Sequence, residues 1–125
     1  MKKPIAASSP GKTGAISAFD VVVVPFPYSD RLAEKRRPAL VVSSSGMTAA
    51  YGFVWLAMIT SASNPRWDCD VEIGNLSVAG LPAPSLVRPV KLATIDAGRI
   101  VRRIGRLASA DTARVKAQFE TLLGA

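Results

Sequence analysis

The chain has 125 residues, 49% of them apolar, and sixteen Lys and Arg against nine Asp and Glu give it a formal charge of +7. One domain of that size can bury a core without disulfides or metal, and its apolar content excludes a disordered chain. With a lone Cys69 and no histidine, neither a zinc site nor a Ser-His or Cys-His nucleophile pair can be assembled, and no cofactor is expected.

Residues 1–18, rich in Ser, Ala, Pro, Gly and Lys without periodicity, are expected to be a flexible N-terminal extension, with residues 19–125 as the folded domain. Met1-Lys2-Lys3 would open a signal peptide, but Pro4, Ser8, Ser9, Pro10 and Gly11 interrupt the apolar segment that must follow. No apolar run approaches the ~20 residues of a bilayer span, so no membrane contact is expected. A cytoplasmic location follows, in keeping with the unpaired Cys69.

Two β-branched runs, Val21–Val24 and Ala39–Val42, bracket a polar loop that begins at a proline-aromatic-proline corner and ends in Lys35-Arg36-Arg37-Pro38. They predict strands over Asp20–Pro25 and Pro38–Ser43. The loop exceeds the roughly two to five residues of an ordinary hairpin, which marks it as a place to look for function. Arg37 is held extended at the mouth of the second strand by the proline that follows it. Met47–Tyr51 reads as a helical turn closed by Gly52. Phe53–Thr60, the most hydrophobic run, reads as the central strand, with Trp55 and Met58 in the core.

After a loop containing Asn64-Pro65 and Trp67, alternation over Cys69–Ile73 predicts a short strand with Asp70 and Glu72 on one side and Val71 and Ile73 on the other. Ser85–Leu92 and Thr94–Asp96 form the next strand, with Arg88 held extended by Pro89 and Asp96 as a turn residue. Ile100–Leu107 is the last, with Arg102 and Arg106 on one face. A helix over Ser109–Leu123 has Ser109 as N-cap, Asp111 in its first turn, Gly124 as C-cap, and an apolar face of Val115, Phe119, Leu122 and Leu123. Short strands with one terminal helix predict a β-rich α+β domain, a small and strongly bent sheet or SH3-like barrel.

The charge points to a polyanionic partner; a merely solubilising surface is the alternative. Lys35-Arg36-Arg37, then Arg88 and Lys91, then Arg99, Arg102, Arg103 and Arg106 form three clusters that the fold can bring together.

The succession VVVVPFPYSD, KRRPALVVS, VWLAMITS, SLVRPVKLATID and IGRLASAD, followed by an amphipathic helix, resembles the MazF/PemK family of toxins from type II toxin–antitoxin systems. The resemblance spans nearly everything beyond the N-terminal extension. It implies a CcdB/MazF-like barrel, a homodimer, a cognate antitoxin with a disordered tail, and metal-independent, sequence-specific cleavage of single-stranded RNA through attack of the ribose 2′-hydroxyl. Arg37 matches the family's catalytic arginine before proline, and Thr60 the hydroxyl residue that closes the middle strand. Ser61 is an adjacent substitute donor, Arg88 matches a basic residue that in some members helps bind the substrate, and Lys35, Arg36 and Lys91 of the basic clusters are expected to bind RNA as well. Val90 departs from the pattern, because some members carry a carboxylate there. Either Glu34 or Asp30 in the long loop would then supply the general base, or arginine alone would suffice in a slower enzyme.

Arg37 as a structural ion-pair residue, Thr60 as an ordinary strand end and Arg88 as a dimer contact stay open as alternatives. So do two other functions: a gyrase-binding poison on the CcdB-like scaffold, against which the C-terminus Leu122-Leu123-Gly124-Ala125 lacks an aromatic tip, and a non-catalytic RNA-binding paralogue.

Overall fold

A computed structural model of the chain describes residues 16–25 and 35–124. The expected N-terminal extension up to residue 15, and Asp30 and Glu34 with the rest of their loop, lie outside the described residues. Six antiparallel strands run β1 (Asp20–Pro25), β2 (Arg36–Val41), β3 (Phe53–Ser61), β4 (Val71–Glu72), β5 (Ser85–Asp96) and β6 (Arg102–Arg106), ordered β4-β5-β3-β2-β1-β6 across one sheet. Helices α1 (Ser45–Tyr51), α2 (Leu76–Ala79) and α3 (Ser109–Leu123) flank it, with a 3₁₀ turn over Ala97–Arg99. The sheet is strongly curled into a half-barrel, the β-rich α+β architecture expected.

The period of two along each strand sorts the core into two layers. Val22, Val24, Ala39, Val41, Val54, Leu56 and Ile95 share one face, with Ile16 and Ile100 in the same cluster. Val21, Leu40, Ala57, Ile59, Val71 and Val87 share the other, against Val115 of α3, Leu107, and Ala79 and Leu81 around α2. Leu40 and Leu56 are fully buried, and a side chain of that size contributes roughly 1.5–3 kcal/mol on burial.

Several expectations are corrected. Strand β2 begins at Arg36 and ends at Val41, two residues earlier at each end than Pro38–Ser43. Pro38 lies inside the strand because β1 pairs with it through Val23 without needing its missing N–H. Val42 N–H donates to Trp55 O at 2.9 Å, so even-numbered residues of β2 turn their backbone groups toward β3, and Pro38 faces Ile59 with nothing to donate. The β2–β3 ladder accordingly stops at Ala39↔Met58.

Trp55 is 49% exposed rather than core, because it shares its face with Phe53 and Leu92, beyond the part that α2 and α3 cover. Met58 is partly buried, packed against the other layer. The strand expected over Cys69–Ile73 shrinks to Val71–Glu72, and Asp70, just outside it, escapes the alternation and is buried. In β6, a bulge opposite Val21/Val22 shifts the register so that Arg103 pairs with Val22 and Arg106 with Asp20. That places Arg103, not Arg102, on the same face as Arg106.

Helix α3 starts at Ser109, one residue earlier than a Ser109 cap requires. Ala108 is its N-cap and makes no side-chain capping bond. The Asp111 carboxylate instead crosses to the turn before α2, accepting from Gly74 and Asn75 N–H at 3.0 Å each, and pairs with Arg114. Gly124 caps the C-terminus with φ 77°, as expected. Val115 is buried and Phe119 packs against the core, but Leu122 and Leu123 are exposed, so the helix closes the core only over its first turns.

Candidate functional site

Arg37 and Thr60 are placed by the termination of the β2–β3 ladder. Extending the register Ala39↔Met58, Leu40↔Ala57, Val41↔Leu56 by two positions sets Arg37 across from Thr60. Both lie on one face of the sheet by alternation, continuing the row of Ala39, Val41, Leu56 and Met58. Both are half-buried. The β2–β3 ladder ends here because Pro38 has no N–H for Ile59, which leaves a notch in the hydrogen-bonding pattern beside the two side chains.

The polar partners of the two residues differ. Among the described residues the side chain of Arg37 makes no hydrogen bond or ion pair. Thr60 Oγ1 accepts from Asn64 Nδ2 at 2.6 Å, and among the described residues its own proton has no other acceptor. Asn64 carried no family signal; an amide four residues past a strand-ending hydroxyl is visible in sequence, but their contact depends on the turn between them.

The remaining basic residues do not converge on the notch as one patch. Arg36 pairs with Pro25 at the end of β2 and is exposed; alternation points it to the opposite face from Arg37. Lys35 is exposed beside it. Ser61 likewise points away from Thr60, pairing with Ser85, and its hydroxyl is engaged by Ser63 Oγ at 2.8 Å and Ser63 N–H at 3.1 Å. Lys91 sits in an excursion of β5, whose partners on β3 jump from Leu92↔Ala57 to Arg88↔Met58. Val90, in the same excursion, is exposed.

Arg88, expected to hold RNA, is instead committed inside the protein. Its Nε donates to Asp70 Oδ1 at 3.0 Å, its Nη2 to Asp70 Oδ2 at 2.8 Å and to Pro65 O at 2.9 Å, and its guanidinium lies 3.9 Å from the centre of the Trp67 ring. Trp67 N–H donates to Asp70 Oδ2 at 2.8 Å. Burial pushes the Asp70 carboxyl up, but the hydrogen bonds from Arg88 and the Trp67 amide, with the charges of Arg88 and Arg66, outweigh it and leave the pKa below its ordinary value. Asp70's hydrogen bond raises the Arg88 pKa against the opposing effect of burial. Trp67 has one ring face occupied by this guanidinium. Arg103 and Arg106 are also paired inward, at 3.5 and 2.9 Å from the buried Asp20 Oδ1.

An open cleft of about 500 Å³ lies against α3, lined by Arg66, Glu72, Gly74, Arg114 and Gln118 among others. Neither Arg37 nor Thr60 borders it, and its arginines face Glu72 and Asp111. The notch between β2 and β3 is therefore the better place for chemistry.

Fold and site together define a small basic half-barrel protein whose middle strands carry Arg37 and Thr60 where their ladder ends. The chain belongs to the PemK-like, MazF-like toxins of type II toxin–antitoxin systems, whose family profile matches residues 17–123. MazF from Deinococcus radiodurans is similar in structure at 21% identity, with a TM-score of 0.71 covering 89% of this chain and 98% of that one. The Mycobacterium tuberculosis toxin MazF-mt6 is 20% identical, with a TM-score of 0.68 covering 84% of this chain and 96% of its own. A mycobacterial endoribonuclease in complex with its cognate antitoxin is 17% identical, with a TM-score of 0.68 covering 88% and 94% of the two chains. Among curated protein sequences nothing matches. No helix among the described residues is long and apolar enough to cross a membrane.

Proposed function

We propose that this toxin is a metal-independent endoribonuclease acting on single-stranded RNA, with Arg37 and Thr60 as its catalytic pair. The observation that carries the reading is an Arg37 side chain without a polar partner among the described residues, set by the extended register across from Thr60 on the same face of the sheet. In the proposed reaction the ribose 2′-hydroxyl attacks the adjacent phosphorus, the O2′–P bond forms and the P–O5′ bond breaks. The products are a 2′,3′-cyclic phosphate and a 5′-hydroxyl. The planar fork of Arg37 bonds two phosphate oxygens as negative charge gathers on them, and the Thr60 hydroxyl donates to one of the same oxygens. Donors fixed in advance on such charge typically contribute about 10²–10³ in rate each. The 2′-hydroxyl proton goes to a carboxylate of the β1–β2 loop, Glu34 or Asp30, since Val90 cannot accept it, and the departing O5′ takes up a proton from water to become the 5′-hydroxyl.

A cognate antitoxin and a homodimer complete the reading. It is supported by the family and by the antitoxin named with the mycobacterial endoribonuclease. Lys35, Arg36 and Lys91 then serve as phosphate contacts outside the notch, while Arg88 supports the site from within. The exposed Val90 favours one second reading, an RNA-binding paralogue that does not cut.

Purified protein incubated with a defined single-stranded RNA in excess chelator separates the two. Discrete fragments ending in cyclic phosphate, lost in Arg37→Ala, are the expected result. Binding without scission would leave the paralogue reading in place.

A further inference from the structure

We propose that Asn64 is a positioning residue for the cleavage reaction, setting the direction in which Thr60 offers its proton. The inference rests on the nuclease reading above. A threonine hydroxyl has one proton and two acceptor lone pairs, and free rotation lets it spend that proton on any nearby carbonyl. Here the Asn64 amide donates to Thr60 Oγ1 at 2.6 Å. The oxygen is held as an acceptor on its Asn64 side, so the O–H bond points elsewhere, and among the described residues it meets no protein acceptor. An incoming N–H also polarises the hydroxyl it donates to, making that hydroxyl a better donor in turn.

The loop that carries Asn64 is fixed at several points. Ala62 N–H donates to Pro84 O at 3.0 Å and Asn64 N–H to Ser61 O at 3.0 Å. One residue further on, Pro65 O accepts from Arg88 Nη2 at 2.9 Å. The buried Arg88–Asp70 pair thus acts on Thr60 indirectly: it holds the carbonyl of Pro65, the residue after Asn64, and Asn64 holds Thr60. This assigns a use to a buried ion pair that touches neither Arg37 nor Thr60.

Single-turnover cleavage of a single-stranded RNA by full-length protein tests the assignment, using Asn64→Ala, Asn64→Asp, Thr60→Val and the Asn64→Ala/Thr60→Val double variant. Asn64→Ala should slow the cleavage step by about 10-fold, within the ~10²–10³ available to one such donor, and leave the half-saturating RNA concentration unchanged. Asn64→Asp, nearly isosteric but able only to accept, should draw the Thr60 proton toward itself and cost more than Asn64→Ala. In the Thr60→Val background, Asn64→Ala should have no further effect, because the hydroxyl it directs is gone. Thermal unfolding of each variant checks that the fold is intact. Asn64→Asp cutting as fast as wild type, or the two substitutions multiplying in the double variant, would overturn the positioning role while leaving the nuclease reading standing. A wild-type protein that cuts nothing overturns both.

Discussion

The Arg88 guanidinium and the Asp70 carboxylate, eighteen residues apart in sequence, face each other fork to fork, with the Asp70 side chain 0% and the Arg88 side chain 8% exposed. The carboxylate also accepts the Trp67 amide, and the guanidinium covers that indole. Two charges taken out of water are stable there only as a pair.

Removing one partner should therefore be far worse than removing both. Asp70→Ala is expected to destabilise the fold by about 3–5 kcal/mol, the usual cost of leaving a buried charge without its counterion. The Asp70→Leu/Arg88→Met double variant should recover a large part of that loss. Urea unfolding of the single and double variants reads both values.

The same pair sets a pH dependence with a definite sign. The folded-state pKa of Asp70 lies below the ordinary carboxylate value, so the ion pair contributes fully above about pH 4 and its contribution disappears as pH falls through the lowered folded value. Wild-type urea midpoints should drop between about pH 5 and pH 2. Asp70→Asn should start from a lower midpoint at neutral pH and lose less on acidification.

Arg37→Ala should separate activity from stability. With no partner among the described residues, the guanidinium can be removed at a stability change of about ±0.5 kcal/mol or less, while cleavage falls by about 10²–10³. The logarithmic salt slope of RNA binding should shrink by roughly 0.7, one phosphate contact on a single strand. A loss of activity that tracks a fall in melting temperature would count against the catalytic role.

Gly105 and Gly80 let α2 lie directly on β6. A Cβ on Gly105 would fall 2.4 Å from the Ala79 carbonyl carbon and 2.5 Å from the Val78 oxygen, all backbone atoms that cannot swing aside. Gly80 combines φ +76° with a Cβ position 2.0 Å from Ile104 O. Gly105→Ala is expected to cost about 1–3 kcal/mol or more from overpacking, read as a lowered urea midpoint at unchanged slope. This contact gives the Ile104-Gly105-Arg106-Leu107 step of the sequence a structural reason.

What could be read from sequence was whatever depends on neighbours along the chain. The proline after Arg37, the β-branched runs and the middle strand ending at Thr60 placed the two central residues on strands, with β1 and β5 falling at their observed bounds. What escaped depends on pairing between distant segments. Period two sorts side chains within a strand, but it does not say which part of a face a helix will cover, hence the exposure of Trp55, or where a bulge reverses it, hence Arg103 beside Arg106 at Asp20. Arg88 looked like a surface cation because its counterion lies in a different loop. Asn64 was unremarked because an amide in a turn carries no pattern of its own.

Pro38 writes this break into the covalent chain rather than into a side-chain contact. An imino acid supplies no hydrogen to Ile59, so no rotamer or local motion can complete that pair. On the nuclease reading, an oligonucleotide meets a strand border whose pairing the sequence itself keeps incomplete.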